Sequence, residues 1–307
     1  MILITEFMDD AQVARLSDAH PTQYAPDLAD RQGDIPGLIA GVQALVVRNR
    51  TQVHAAILDA APDLKVVGRL GVGLDNIDLT ACAERGVEVI PATGANTLSV
   101  AEYVVTNALV LLRGAYDTRT SMEAGEWPRA ACSGREVSGR TLGLIGFGAI
   151  AQETARLARA LGMNICAFDP HLPDGNPAWD GATRLDLVGV LASADAISLH
   201  VPLTDETRHM INAERLDKMR RDAVLINAAR GGVVDEAALA NAMQSGHIAG
   251  AALDVFETEP LTIEAARKFN GIKNLFLTPH IAGVTQDSNT RVSKMIADCV
   301  LDRLNTA

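Results

Sequence analysis

Arg230, Asp254, Glu259 and His280 each follow a short apolar run, in AVLINAARGG, GAALDVFETEP and NLFLTPHIAG. A guanidinium at such a place suits a substrate carboxylate, because its planar fork donates two parallel hydrogen bonds and can polarise an adjoining carbonyl. An imidazole titrates in the range where it can take a proton from an alcohol or return one to a carbonyl oxygen. A neighbouring carboxylate favours the imidazolium and holds the ring, the role expected of Glu259 toward His280. These residue types suit a proton moved at an oxygen beside a carboxylate.

A second motif supplies a redox partner for that proton. TLGLIGFGAIAQETARLARALG (141–162) reads as a strand, a glycine turn and a helix. Gly146, Gly148 and Ala151 take the small-residue positions of GxGxxG/A: one for the tight turn, one for close approach of backbone to a pyrophosphate, one for helix packing. The helix N-terminus adds amide donors and positive potential. Asp169 closes the next strand, NICAFDP, where its carboxylate is expected to accept from the adenosine ribose hydroxyls and to repel a 2′-phosphate. NAD is therefore expected over NADP. Together the motifs read as hydride transfer between a nicotinamide and a secondary alcohol.

The elements that must position these groups are legible as periodicity. β-branched runs alternate with Ala/Leu-rich helical stretches, the pattern of βαβ units around a parallel sheet. Strands are expected at 2–5, 44–47, 65–69 and 87–90, then at 141–147, 164–169, 196–201, 223–229, 250–256 and 274–280. The second set matches a doubly wound dinucleotide domain, whose ligand lies beyond the carboxyl ends of the strands. One long buried helix is expected over 99–122. An amphipathic helix over 287–304 is expected to pack back on the first domain, making it discontinuous.

With 307 residues the chain is expected to hold two domains. Its net charge of −11, without a Lys/Arg cluster, argues against nucleic acid and anionic membranes. Any anionic substrate needs particular arginines. The four cysteines are scattered without a close pair, which suggests inert thiols in a reducing cytoplasm. No signal peptide or apolar span is seen. His20, His54, His171, His209 and His247 lack ligand spacing, so no metal is expected.

The run NAARGGVVDEAALANAMQSGHIAGAALDVFETEP, followed by TPHIAG, resembles the signature of the D-isomer specific 2-hydroxyacid dehydrogenases, as do VVGRLGVGLDNIDL, GANTLSVAEYV and HVPLTDET. The resemblance implies an α/β fold of two Rossmann-like or flavodoxin-like domains with parallel sheets. The substrate domain would be discontinuous (1–98 and 283–307) and the NAD-binding Rossmann domain would span 99–282, with the active site in the cleft. It implies Arg230, Glu259 and His280 as catalytic residues. NAD is implied to lie against Gly146, Gly148, Ala149, Ile150, Asp169, His200, Val201, Pro202, Thr207, Ala228, Ala229, His280 and Ala282, with Asp254 on the nicotinamide carboxamide. It also implies a cytoplasmic homodimer built around the NAD-binding domains.

For the substrate, the chain is similar to both the D-3-phosphoglycerate and the (S)-sulfolactate dehydrogenases of that family. The resemblance implies that main-chain amides of Leu70, Gly71, Val72 and Gly73 hold the substrate carboxylate, with Asn96 nearby. Arg48, Arg50, Arg69, Arg129 and Arg135 suit a second anion at C3. The added Arg50 tilts the expectation to a sulfonate. A phosphate comes next, then a neutral arm as in hydroxypyruvate or glyoxylate. A non-enzymatic reading, an NAD(H)-sensing corepressor-like protein, is the alternative class.

Overall fold

The computed structural model describes residues 1–116 and 118–306. It divides into two units, Met1–Asn96 with Val284–Ala307, and Thr97–Gly283.

In the first unit, β1 (Ile2–Ile4), β2 (Thr22–Tyr24), β3 (Ala44–Val47), β4 (Val66–Arg69) and β5 (Glu88–Pro91) form a parallel sheet of order β2-β1-β3-β4-β5. Successive side chains of a strand point to opposite faces, so an apolar run with no alternation serves two cores at once. Ile2, Ile4, Val46 and Val66 enter one cluster, and Leu3, Leu45, Val47 and Val67 the other. The helix Gln286–Asn305 brings Val292, Ile296, Ala297 and Val300 onto the first of these faces, so the chain's last helix completes its first sheet. Gly68 makes room for it, because a Cβ there would lie 2.7 Å from Ile296 Cγ2.

In the second unit, β6 (Thr141–Ile145), β7 (Asn164–Phe168), β8 (Thr183–Arg184), β9 (Ala196–Leu199), β10 (Val224–Asn227), β11 (Gly250–Leu253) and β12 (Leu275–Leu277) are parallel, in the order β12-β11-β10-β9-β6-β7-β8. This is the doubly wound arrangement, with its direction reversing between β6 and β9. Val224 and Ile226 face one core and Leu225 the other. The helix Thr97–Arg113 covers one face through Val100, Val104, Ala108, Leu111 and Leu112.

Three expectations are corrected. The helix expected over 99–122 ends at Arg113: Gly114 takes φ 61 and its amide returns to Val110 O, and Arg119–Glu123 is a separate short helix. A glycine in the left-handed conformation terminates a helix whatever apolar periodicity lies beyond it. The strands β2 and β8 were not expected, since TQY and TR are short, polar, partly or fully exposed edge segments.

Candidate active site

Parallel strands β10, β11 and β12 are neighbours, so the residues after each reach the same edge of the sheet. His280 lies past β12 in a left-handed conformation, φ 55, which costs about 1 kcal/mol or more for a non-glycine residue. The surroundings hold it there. Its amide bonds Asp254 O at 2.8 Å, and the Asp254 carboxylate accepts from Thr278 Oγ1 (2.6 Å), Ile281 N (2.8 Å) and Ala282 N (2.8 Å). Asp254 is 1% exposed, so these bonds act in a poorly hydrated setting. Tyr103 OH meets Thr278 Oγ1 at 2.7 Å, and burial raises the phenol to about 12 despite that bond.

His280 Nδ1 lies 2.7 Å from Glu259 Oε2, and Glu259 Oε1 accepts the Phe256 amide at 2.9 Å. Burial pushes the Glu259 carboxyl upward. The His280 and Phe256 bonds and the charges of His280 and Arg230 outweigh it and hold Glu259 below the usual carboxylate range. A carboxylate partner places a proton on Nδ1 and leaves Nε2 for exchange with a substrate.

Arg230 follows β10, with Nη1 donating to Ala229 O at 2.7 Å. The buried Asn227 staples this turn: its side chain donates to Arg230 O (3.0 Å) and accepts from Ala229 N (3.1 Å). Gly231 then passes hard against Phe256, where an added Cβ would lie 1.8 Å from the Phe256 carbonyl oxygen. The structure therefore brings Arg230, Glu259 and His280 to one edge, with Ala228, Ala229 and Ala282 flanking them.

The glycine loop after β6 lies at the same edge. Gly146 has φ 85, and a Cβ there would lie 2.5 Å from His200 O. Gly148 caps the helix Ala149–Ala160 without a side-chain bond, and open space adjoins its Cβ position. Ala149 and Ile150 form the first turn, and Ala151 is buried. An uncapped helix start beside open space fits a pyrophosphate. Thr207 Oγ1 donates to Pro202 O at 2.6 Å and accepts from Thr204 N at 2.7 Å, ordering the loop that carries Val201 and Pro202. The His200 Nε2 is buried without a hydrogen-bond partner among the described residues, and burial lowers the imidazole to about 4, so it is neutral.

Two acids do more locally than expected. Asp169 accepts from Phe147 N (2.8 Å), His171 N (2.9 Å) and Leu172 N (3.2 Å), tying the glycine loop to the end of β7. A carboxylate offers about four lone-pair sites, so three donors leave about one each on Asp169 and Asp254 for a ribose hydroxyl or a carboxamide.

The arginines divide. Arg135 is not at the site. Its guanidinium bonds Asp222 Oδ2 (2.8 Å), Asp222 O and Asp195 Oδ1 (3.4 Å), and Asp195 accepts the Thr141 amide. Asp222 and Asp195 lie just before β10 and β9 and Thr141 begins β6, so Arg135 pins the amino edge of the sheet, opposite the edge that carries Arg230, Glu259 and His280. Arg129 is exposed.

Within the first unit, Glu6 is 3% exposed and accepts the amides of Arg48 (2.8 Å), Arg50 (3.2 Å) and Thr51 (2.9 Å), fixing the RNRT loop. Arg50 is already paired, 2.5 Å from Asp30 and 3.8 Å from Glu6, which removes the reason for giving it a substrate anion. Arg48 differs. Its Nη2 donates to the neutral Asn289 amide oxygen at 2.5 Å and its guanidinium lies 5.9 Å from the Phe7 ring centroid. Burial lowers its affinity for its proton, against the field of Glu6. Gly71 has φ 152, and Arg69 Nη1 fills the space a Cβ would need. Leu70 is buried, Val72 is exposed, and the Asn96 Oδ1 is buried without a hydrogen-bond partner among the described residues.

Sequence reasoning did not find Tyr103, Asn227, Thr278, Glu6 or Asn289. The only local signal was a polar residue at a strand end, as in LTPH and LIN.

Comparison with known proteins gives the family. Residues 105–282 match the model of the D-isomer specific 2-hydroxyacid dehydrogenase, NAD binding domain. The chain is 51% identical over 300 residues to an (S)-sulfolactate dehydrogenase of Chromohalobacter salexigens, covering 97% of this chain and 96% of that one. It is 42% identical over 267 residues to a hydroxypyruvate reductase of Thermotoga maritima, covering 87% and 86%. Its fold is similar to that of a D-lactate dehydrogenase from Aquifex aeolicus complexed with NAD and lactic acid, with a TM-score of 0.85, 28% identity and coverage of 100% and 96%. A strand-end Arg, Glu and His beside a dinucleotide loop, together with these matches, place the chain in the D-isomer specific 2-hydroxyacid dehydrogenase family, the NAD-dependent oxidoreductases acting on CH–OH.

Proposed function

We propose that this dehydrogenase acts on a 2-hydroxy or 2-keto acid with a second anionic group at C3, and that its substrate pair is (S)-3-sulfolactate and 3-sulfopyruvate. Arg48 carries the choice of a second anion. It is a part-buried guanidinium that meets a neutral amide and an aromatic ring, and no carboxylate hydrogen-bonds it among the described residues. A planar fork in that state is completed by a sulfonate or phosphate. The similarity to a sulfolactate dehydrogenase favours the sulfonate.

Stereochemistry permits it. A CH2SO3⁻ arm outranks a carboxylate in priority, so (S)-sulfolactate has the spatial arrangement of a D-2-hydroxy acid. NAD, when bound, would supply the acceptor for the hydride leaving C2. Arg230 holds the substrate carboxylate and polarises the C2 oxygen, and His280 Nε2 takes the hydroxyl proton while Glu259 fixes the ring through Nδ1. The main-chain amides of Leu70–Gly73, with Asn96, complete the carboxylate's binding. Asp169 favours NAD over NADP by bonding the ribose and repelling a 2′-phosphate. The same reading includes a cytoplasmic homodimer through the NAD-binding domains.

The similarity to a hydroxypyruvate reductase favours a second reading, a substrate with a neutral C3 arm. An NADH absorbance panel with 3-sulfopyruvate, 3-phosphohydroxypyruvate, hydroxypyruvate and pyruvate separates the two. We expect the highest kcat/KM with 3-sulfopyruvate, falling about 100-fold in Arg48→Met, since charge-assisted bonds contribute roughly 1.5–3 kcal/mol. A preference for hydroxypyruvate that Arg48→Met leaves unchanged refutes the second anion. NADH turnover of none of the four refutes the enzyme reading in favour of an NAD(H) sensor.

A further inference from the structure

Beside the catalytic edge lies a second charged cluster that hydride transfer does not itself use. Glu236 opens the helix Glu236–Gln244, downstream of Arg230, and is 3% exposed. Its Oε1 accepts the Glu257 amide at 2.6 Å, and Glu257 Oε1 accepts the Glu236 amide at 3.2 Å. A reciprocal pair of this kind fixes two peptide segments at one separation. Lys268 Nζ donates to Glu236 Oε2 at 2.8 Å and lies 3.6 Å from Glu257 Oε2, which offsets the repulsion between the two acids. His209 adds a cross-brace: its Nε2 lies 3.2 Å from Glu257 Oε1, and its amide bonds Gly232 O at 2.7 Å.

The segments so joined are the one that leads on from Arg230 and the one that carries Glu259. We propose that Glu236, Glu257 and Lys268 form a positioning clasp, which sets the Arg230 turn against Glu259 and so aligns carboxylate binding with the His280 proton exchange. The clasp rests on the dehydrogenase reading, because only a shared substrate requires Arg230 and His280 to be in register. None of the three touches reacting atoms. The clasp works through the Phe256 amide, which follows the same backbone as Glu257 and holds Glu259 Oε1.

The test compares Lys268→Met and Glu236→Gln with the conservative Lys268→Arg. Arg135→Met, at the opposite edge of the sheet, controls for lost stability alone. Each is assayed well below its melting temperature for kcat, for KM of NADH and of 3-sulfopyruvate, and for the downfield Nδ1–H proton resonance of His280. We expect Lys268→Met and Glu236→Gln to lower kcat about 10-fold or more, since sub-ångström misplacement of reacting groups is costly. KM for NADH should stay within about twofold. The His280 resonance should move, Lys268→Arg should restore most of kcat, and Arg135→Met should lose melting temperature while keeping kcat.

Wild-type kcat in either folded clasp variant overturns the proposal, as does a loss of kcat that tracks melting temperature equally in Arg135→Met. If the wild-type protein reduces none of the four keto acids, the dehydrogenase reading has failed. The clasp is then decided by the resonance, which needs no substrate: unmoved in both variants, it refutes the clasp.

Discussion

Replacing Gly231 by alanine perturbs the site without removing any functional group. An ideal Cβ there lies 1.8 Å from Phe256 O, 2.3 Å from Phe256 C and 3.0 Å from Phe256 N. Real Cβ contacts essentially never fall below 3.0 Å, so the gap to the oxygen must open by at least about 1.2 Å (3.0 − 1.8). All three atoms are backbone, so no rotamer relieves the overlap. The Phe256 amide holds Glu259, so the shift is passed to the His280 partner. Overpacking of this kind costs typically 1–3 kcal/mol of stability. A displacement of about 1 Å at a reacting group costs about 100-fold in rate.

Gly232→Ala is the internal control. Gly232 has φ 79 and its nearest heavy atoms lie 3.5 Å from the Cβ position, so alanine there pays the left-handed strain, about 1 kcal/mol, without pushing Phe256. Thermal melts by circular dichroism and kcat/KM from NADH absorbance read both effects. We expect both variants to lose melting temperature and only Gly231→Ala to lose about 100-fold in kcat/KM. A folded Gly231→Ala protein within about threefold of wild type would show that the two loops tolerate slippage and that Gly231 does not set the Glu259–His280 alignment.

Two further outcomes follow from buried polar groups. His200 titrates at about 4 in the fold against an ordinary 6.5, so as pH falls the unfolded chain takes its proton first. Stability should be lost between about pH 6.5 and 4, by about 3 kcal/mol, and His200→Asn should flatten that part of a urea-midpoint profile; equal slopes in the two proteins would contradict it. Thr278→Val keeps the shape but removes the hydroxyl between Tyr103 and Asp254, leaving the Tyr103 O–H donor without its acceptor and Asp254 Oδ1 with one donor fewer. We expect a loss of 1–3 kcal/mol in urea titration together with a lower kcat, and Tyr103→Phe, at the far end of the chain of bonds, should cost less.

Much of the site was legible because its chemistry is local to strand ends. INAARGG, ALDVFETEP and LFLTPHIAG each place a functional residue after an apolar run, and parallel strands bring their carboxyl ends to one edge, so identifying the strands nearly identifies the site. The glycine loop was legible for the same reason: strand, turn and helix are contiguous.

The sequence by itself determined the two parallel sheets, the return of the last helix, the strand–glycine–helix loop and the placing of Arg230, Glu259 and His280 after strands, since each is written in a short contiguous pattern of apolar period and residue type. Tertiary structure decided which charges were left for a ligand. Arg135 pairs with Asp195 and Asp222 at the wrong edge, Arg50 pairs with Asp30, and Arg48 meets a neutral amide supplied from the far end of the chain at Asn289. Such pairings join residues far apart in sequence and leave no periodic trace, because an ion pair depends only on where two folded segments happen to meet.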